Sequence, residues 1–130
     1  MTTRVSDMKG RSAPLSADLR YDMADPYAIR LSLDVPMETP VDWVFARELL
    51  AEGLHRTTGS GDVVVMPWHH PRPHSLRVVL RNRSGTALIE MAASAVAAFL
   101  GQTFELVPEG AESHHVDLDR AVSELTGSSG

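Results

Sequence analysis

The densest run of ligand-type side chains is His69-His70-Pro71-Arg72-Pro73-His74. Neutral imidazoles bind zinc or nickel, and a loop is where they can converge. Adjacent residues of an extended chain point to opposite faces, so only one of His69 and His70 can join His74. No carboxylate follows within ten residues to complete a ligand set. A polar connection between strands, stiffened by its prolines, accounts for the run without a metal. His114-His115 is an exposed pair ahead of a helix, and His55 stands alone.

Other chemistries meet similar plain explanations. Thr57-Thr58-Gly59-Ser60-Gly61-Asp62 lacks the Gly-Lys-Ser/Thr ending of a phosphate loop and joins two strands, so it is a β-turn. Glu48 and Glu52 lie on the wet side of a short helix. Asp117 and Asp119 sit at a helix start, where negative charge is favoured. There is no Gly-x-Ser-x-Gly elbow and no His-Glu-x-x-His helix. Cysteine is missing altogether, which removes disulfides, thiolate metal sites and Cys nucleophiles. The expectation is a protein that is not an enzyme, with no cofactor, no metal and no small-molecule substrate.

Arg72, Arg77, Arg81 and Arg83 form the basic island, thirteen residues (71–83) without an acid. Arg77 and Arg81 share one strand face, and Trp68 lies upstream as a stacking platform. Exposed arginines beside an aromatic on a curved sheet are how single-strand binders are built. Two other readings fit: a solvated strand face, or a patch that meets an acidic segment of another subunit. Glu105–Glu124 supplies six acids against Arg120. The whole chain carries 12 basic and 17 acidic residues, a formal charge of −5. That balance gives no general pull on nucleic acid or anionic lipid.

The elements that would position these groups follow from periodicity. Residues 1–17 show none and read as a flexible lead-in. Asp18–Met23 alternates, Asp25-Pro26 supplies a turn, and Tyr27–Val35 alternates again, which predicts a hairpin with a three-residue link. Val41, Trp43 and Phe45 begin a third strand. Its period changes at Ala46, Leu49, Leu50 and Leu54, predicting helical turns up to Gly53. Strands follow at Val63–Met66, at Leu76–Leu80 with Arg77, Val79 and Arg81 outside, and at Thr86–Met91. Ser94 caps a helix carrying Val96, Phe99, Leu100 and Phe104, which Pro108 ends. Asp117 caps another carrying Leu118, Ala121, Val122 and Leu125, with Gly127 as its stop. Strands followed by helices predict an α+β fold: a curled antiparallel β-sheet, β-barrel-like, with C-terminal helices. No internal repeat is visible.

With 130 residues, 43% of them hydrophobic, the chain suits one domain that removes roughly two-thirds of its unfolded surface from water. The expected organisation is a segment over 1–17, one domain over 18–126 and a tail over 127–130. Met1–Leu15 has no apolar run of a secretory leader. Met91–Phe104 is too short and too Ala-rich to cross a bilayer. No membrane span is expected, and the expected compartment is the cytoplasm.

Two long motifs give a family resemblance. Leu19-Arg20-Tyr21-Asp22-Met23-Ala24-Asp25-Pro26-Tyr27-Ala28 resembles the opening of the SsgA-like sporulation and cell-division proteins of filamentous actinobacteria. So does Trp43-Val44-Phe45-Ala46-Arg47-Glu48-Leu49-Leu50-Ala51-Glu52-Gly53-Leu54-His55-Arg56, continuing through Gly59, Gly61, Asp62 and Val63. His115-Val116-Asp117-Leu118-Asp119 is most similar to one branch of that family. The resemblance implies a non-enzymatic adaptor that promotes septum-site selection and recruits the tubulin-like GTPase FtsZ during sporulation-specific division. It implies FtsZ and other SsgA-like proteins as partners, a homotrimer, and a place at division septa. It also implies a fold similar to the Whirly-type single-stranded nucleic-acid binders, so a single-stranded nucleic-acid-binding module is the alternative function. Tyr21, Tyr27, Trp43, Phe45 and Leu50 read as core, and exposed Arg77 and Arg81 as the partner interface. Family members begin with an additional strand; Val5, Met8 and Leu15 are too sparse to build it, which leaves a sheet edge open to a subunit or partner.

Overall fold

Period-two alternation and one change of period account for most of the backbone. The structure, a computed structural model, describes residues 2–7, 12–34, 41–69, 74–83, 85–114 and 116. It contains β1 (Thr2–Asp7), β2 (Ser12–Arg20), β3 (Ala28–Asp34), β4 (Val41–Ala46), α1 (Arg47–Gly53), β5 (Val63–Trp68), β6 (Ser75–Asn82), β7 (Gly85–Ala92) and α2 (Ala93–Leu106). All pairings are antiparallel, in the order β4-β3-β2-β1-β7-β6-β5. Two three-stranded meanders, β2-β3-β4 and β5-β6-β7, are joined by β1, and each runs directly into a helix.

The α+β class and the antiparallel sheet stand, but the barrel does not close. β4 and β5 end the sheet without pairing to each other. β5 is also unsuited to closure. The backbone of Val65 faces Thr58, exchanging hydrogen bonds of 2.8 and 2.9 Å. By strand alternation Pro67 faces the same way and has no N–H to give.

Residues 2–7 and 12–17, expected as a lead-in, are strand. β1 lies in the middle of the sheet, held by ladders to β2 and to residues 87–90 of β7. Pairing on both sides, with neighbouring β2 and with distant β7, needs no strong apolar alternation of its own. The β2–β3 hairpin forms, but β2 ends at Arg20 and the loop covers 21–27, not three residues. The Asp22 carboxylate causes the early break by accepting from the Ala24 amide (2.9 Å), and Asp25 N–H donates to Asp22 O (2.9 Å). Tyr27 therefore leaves the core face and is 54% exposed.

Burial follows the pleat in β3, where Ile29, Leu31 and Leu33 are buried. In β6 Leu76, Val78 and Leu80 are buried as expected, but Val79, expected outside, is buried too, as is Ser75 on the same face. Val65, Val78 and Ile89 form one cross-strand row, with Val5 in register beside Ile89. Phe45 and Leu50 join this core, and Tyr21 and Trp43 pack on it partly buried. Complete burial of Leu50 contributes about 1.5–3 kcal/mol toward seating α1. α1 then ends where a Cβ on Gly53 would fall within 2.5 Å of Val65 Cβ.

α2 buries Val96, Leu100 and Thr103. Its N-cap is Ala92, with no side-chain cap bond, so Ser94 is not the cap. The helix starts straight from β7, and the Ala93 amide is satisfied by His74 O at 2.9 Å. Residues 112–114 begin another helical turn. The expected Asp117 cap, its helix, Val35 and the 127–130 tail lie outside the described residues.

Candidate interaction surface

The residue that ties the two meander–helix units together is Arg47, which the sequence reading did not single out. It is 2% exposed at the first position of α1. Its Nη1 donates to the carbonyls of Thr103 (3.2 Å) and Val107 (2.8 Å) at the end of α2. Its Nη2 donates to Glu112 Oε1 at 2.6 Å. The guanidinium carbon also lies 4.3 Å from the Phe104 ring centre and 5.1 Å from that of Tyr21. A helix C-terminus leaves carbonyls without partners and carries partial negative charge, so a buried guanidinium there satisfies both. The sequence did hold a signal: Arg47 falls three residues before Leu50, on the apolar stripe of α1, in a first turn where acids are preferred.

Titration in this cluster follows from the same contacts. Burial alone would push the Glu112 carboxyl up. Hydrogen bonds from its own amide, from Arg47 and from the Gly110 amide, with the Arg47 charge, outweigh that and hold it below its ordinary value. Burial pushes the Tyr21 hydroxyl up; Arg47 opposes this, while Glu112 and Asp25 add to it. That hydroxyl donates to Pro26 O at 2.8 Å, fixing the 21–27 loop.

The face of β5-β6-β7 away from the helices carries the basic residues. Arg81 is exposed, as expected; Arg77 is half-buried, which corrects the expectation of a free side chain. The Arg77 guanidinium carbon lies 3.8 Å from the Trp68 ring centre, a cation–π stack. That ring face is therefore occupied and is not an open platform for a base. Glu90 stands in register beside Arg77. Arg77 Nε and Glu90 Oε1 are both buried without a hydrogen-bond partner among the described residues. Arg83 is exposed, and Arg72 lies outside the described residues.

The histidines do not assemble. His69 and His74 meet edge-to-face with ring centres 6.5 Å apart, and His70 lies outside the described residues. Among the described residues no three His, Cys, Asp or Glu side chains are grouped to hold a metal ion. His55 and His114 are exposed. Open grooves lie among the described residues. One, of about 560 Å³, lies along the β2–β3 loop and is lined by Met23, Arg30, Val44 and Leu106 among others. Another, of about 520 Å³, lies beside the Arg47 cluster and includes Glu48, Glu52, Glu109 and Tyr27. No helix among the described residues is long and apolar enough to cross a membrane.

The family model described as Streptomyces sporulation and cell division protein, SsgA, matches residues 15–112. The chain belongs to the SsgA family. Sporulation-specific cell division protein SsgB of Streptomyces coelicolor is 46% identical over 114 residues, covering 88% of this chain and 83% of that protein. SsgB of Thermobifida fusca is 40% identical over 111 residues, covering 85% and 80%. The crystal structure of an SsgA-like sporulation-specific cell division protein from Thermobifida fusca superposes with a TM-score of 0.86 at 36% identity, covering 95% of this chain and 90% of that one. A structure from work correlating mutations in SsgB with longitudinal cell division in Streptomyces coelicolor gives 0.82 at 43% identity, covering 88% and 91%. The SsgA family is thus one of division proteins, not an enzyme family. Its two long motifs fall here on the 21–27 loop and on the β4–α1 junction, where Tyr21 and Arg47 hold the fold.

Proposed function

We propose that this chain is a non-enzymatic division adaptor of sporulating actinobacteria. It promotes septum-site selection and recruits FtsZ, working in the cytoplasm at division septa beside other SsgA-like proteins. What supports the reading is kinship along most of the chain with proteins named for sporulation-specific cell division. The chemistry agrees with docking: its polar groups are displayed on sheet faces, and its buried arginine is committed to a helix end. As a homotrimer it would present three copies of one weak site to a filament, raising avidity by about 10²–10⁴ over a single contact. The docking surface is the β6 face, with Arg81 free and Arg77 held rigid on Trp68.

The test is co-sedimentation with preformed FtsZ filaments. The wild type should pellet with filaments, and Arg77→Ala with Arg81→Ala should pellet roughly tenfold less. No enrichment of the wild type would refute the adaptor reading. The alternative, a single-stranded nucleic-acid module on a Whirly-like fold, predicts binding that weakens steeply with salt. The occupied Trp68 ring and the acidic net charge weigh against it.

A further inference from the structure

The two meanders repeat one layout but present opposite kinds of outer face. An antiparallel sheet packed on one core shows polar residues on the side away from it. The β2-β3-β4 face does so. Asp18 lies beside Arg20 (3.7 Å), Arg30 beside Asp42 (4.0 Å), and Ser32 Oγ donates to Asp42 Oδ1 at 2.6 Å. The β5-β6-β7 face does not. Val64, Val79 and Leu88 stand in register across its three strands, and Met66 and Trp68 continue the apolar surface along β5. Val79 is only 7% exposed, yet it stands outside the core cluster that takes in Leu76, Val78 and Leu80. The row is a second apolar cluster, with Val64, Met66 and Leu88 half-buried and still open to contact. Arginines rim it. The Arg77 guanidinium is held 3.8 Å from the Trp68 ring centre, Arg81 is exposed on the same face, and exposed Arg83 follows in the turn to β7. Among the described residues Arg81 and Arg83 enter no ion pair. The neighbouring acids are Glu90, in register with Arg77, and Asp62, whose carbonyl accepts from the Arg81 amide, so cations stay in excess.

We infer that this face takes a partner segment carrying carboxylates two residues away from apolar side chains. The apolar side chains lie on the Val64–Val79–Leu88 row and the carboxylates meet Arg81 and Arg83. The inference rests on the reading that the β6 face is the docking surface, and it gives that surface's partner a chemistry. An apolar patch rimmed by polar groups is the usual mark of a docking site. Charge on the rim selects the partner's sign and fixes its register. Val79 and Arg81 are two residues apart on one strand, about 7 Å, which is also the spacing of like-facing side chains along an extended segment. A nucleic-acid strand would satisfy the arginines with phosphates but would bring no apolar side chain to the row. The β2-β3-β4 face offers no such site, because its charges are already met within the face.

The test is a titration of the full chain, without filaments, followed by amide shifts in two-dimensional NMR at low salt. The probe is a blocked peptide with leucine and glutamate alternating at every second position and serine between them. The amides of Val64, Val79, Arg81 and Leu88 should move saturably. Lysine in place of the glutamates should abolish the response. Serine in place of the leucines should weaken it roughly tenfold, the loss of apolar contact with the row. Arg81→Gln with Arg83→Gln, both exposed side chains, should weaken it roughly fivefold, as expected for two rim pairs. Arg20→Gln with Arg30→Gln, on the other meander, should leave it unchanged. No saturable movement, an equal response to the lysine peptide, or movement confined to the β2-β3-β4 face overturns the inference. So does concentration-dependent movement of the same amides in the chain alone, which makes a second copy the occupant. With no filament present, a failed titration leaves the co-sedimentation result standing, and failed co-sedimentation leaves the titration readable.

Discussion

Arg47→Met replaces the clamp between the two units by a side chain of similar length that cannot donate. The substitution strands the Val107 carbonyl at the end of α2, leaves Glu112 without its cation, and removes the charge beside the rings of Tyr21 and Phe104. Breaking a buried pair from one side costs about 3–5 kcal/mol. The lower end applies, because Glu112 lies at the cluster's outer edge and can regain water. A loss of about 3 kcal/mol should lower the melting temperature by roughly 10 °C in a chain of this size. Urea denaturation followed by circular dichroism measures it. Arg47→Lys should recover only part of the loss, since an ammonium cannot fork to two carbonyls and a carboxylate at once. Because the pair is buried, raising the salt should hardly change the difference. A stability for Arg47→Met within about 0.5 kcal/mol of wild type, the range of ordinary surface substitutions, would refute the clamp.

The Glu112 carboxyl is held below its ordinary value of 4.5. Its contribution is therefore present above that pH and is lost as pH falls through the lower folded-state value; the stability gap between wild type and Glu112→Gln should close in that acid window. Gly53→Ala should cost about 1–3 kcal/mol through collision with Val65, and less when combined with Val65→Ala than the two single losses added, as a double-mutant cycle of denaturation midpoints would read. Tyr21→Phe should cost about 1 kcal/mol by removing the bond to Pro26 O, while Tyr27→Ser should change stability by less than about 0.5 kcal/mol. Equal losses for the two tyrosines would contradict the loop geometry.

Local pattern was a good guide wherever burial of one face decides structure. The alternation in β3, the strand at β6, the change of period at Ala46, and the helix through Val96, Leu100 and Phe104 all appear where the spacing puts them, although Val79 of β6 is buried and not outside. What pattern missed was decided by distant partners or by particular side chains. β1 is strand because β2 and β7 pair with it. Tyr27 is outside because the Asp22 carboxylate turns the chain early. The cap expected at Ser94 is unnecessary because His74 O already meets the helix. The order of strands and helices that makes the doubled strand–strand–strand–helix unit was legible from periodicity, but no repeat of residues marks it, because the two halves share an order of elements and not a set of residues. The basic island was legible, but not that Arg77 would spend its flat face on Trp68.

The same contacts bear on the kind of work this chain does. A buried cation in an enzyme must offer donors to something that arrives. At Arg47 both carbonyls and the carboxylate are already within hydrogen-bond distance, so a substrate would have to displace structural partners and loosen the joint between the units. At Arg77 stacking on Trp68 holds a half-buried guanidinium in one orientation. Orienting a charge in advance lowers the entropy a partner must remove on docking. The interior arginine is thus consumed in holding the fold, which agrees with the adaptor proposed above and not with a group kept free for a substrate.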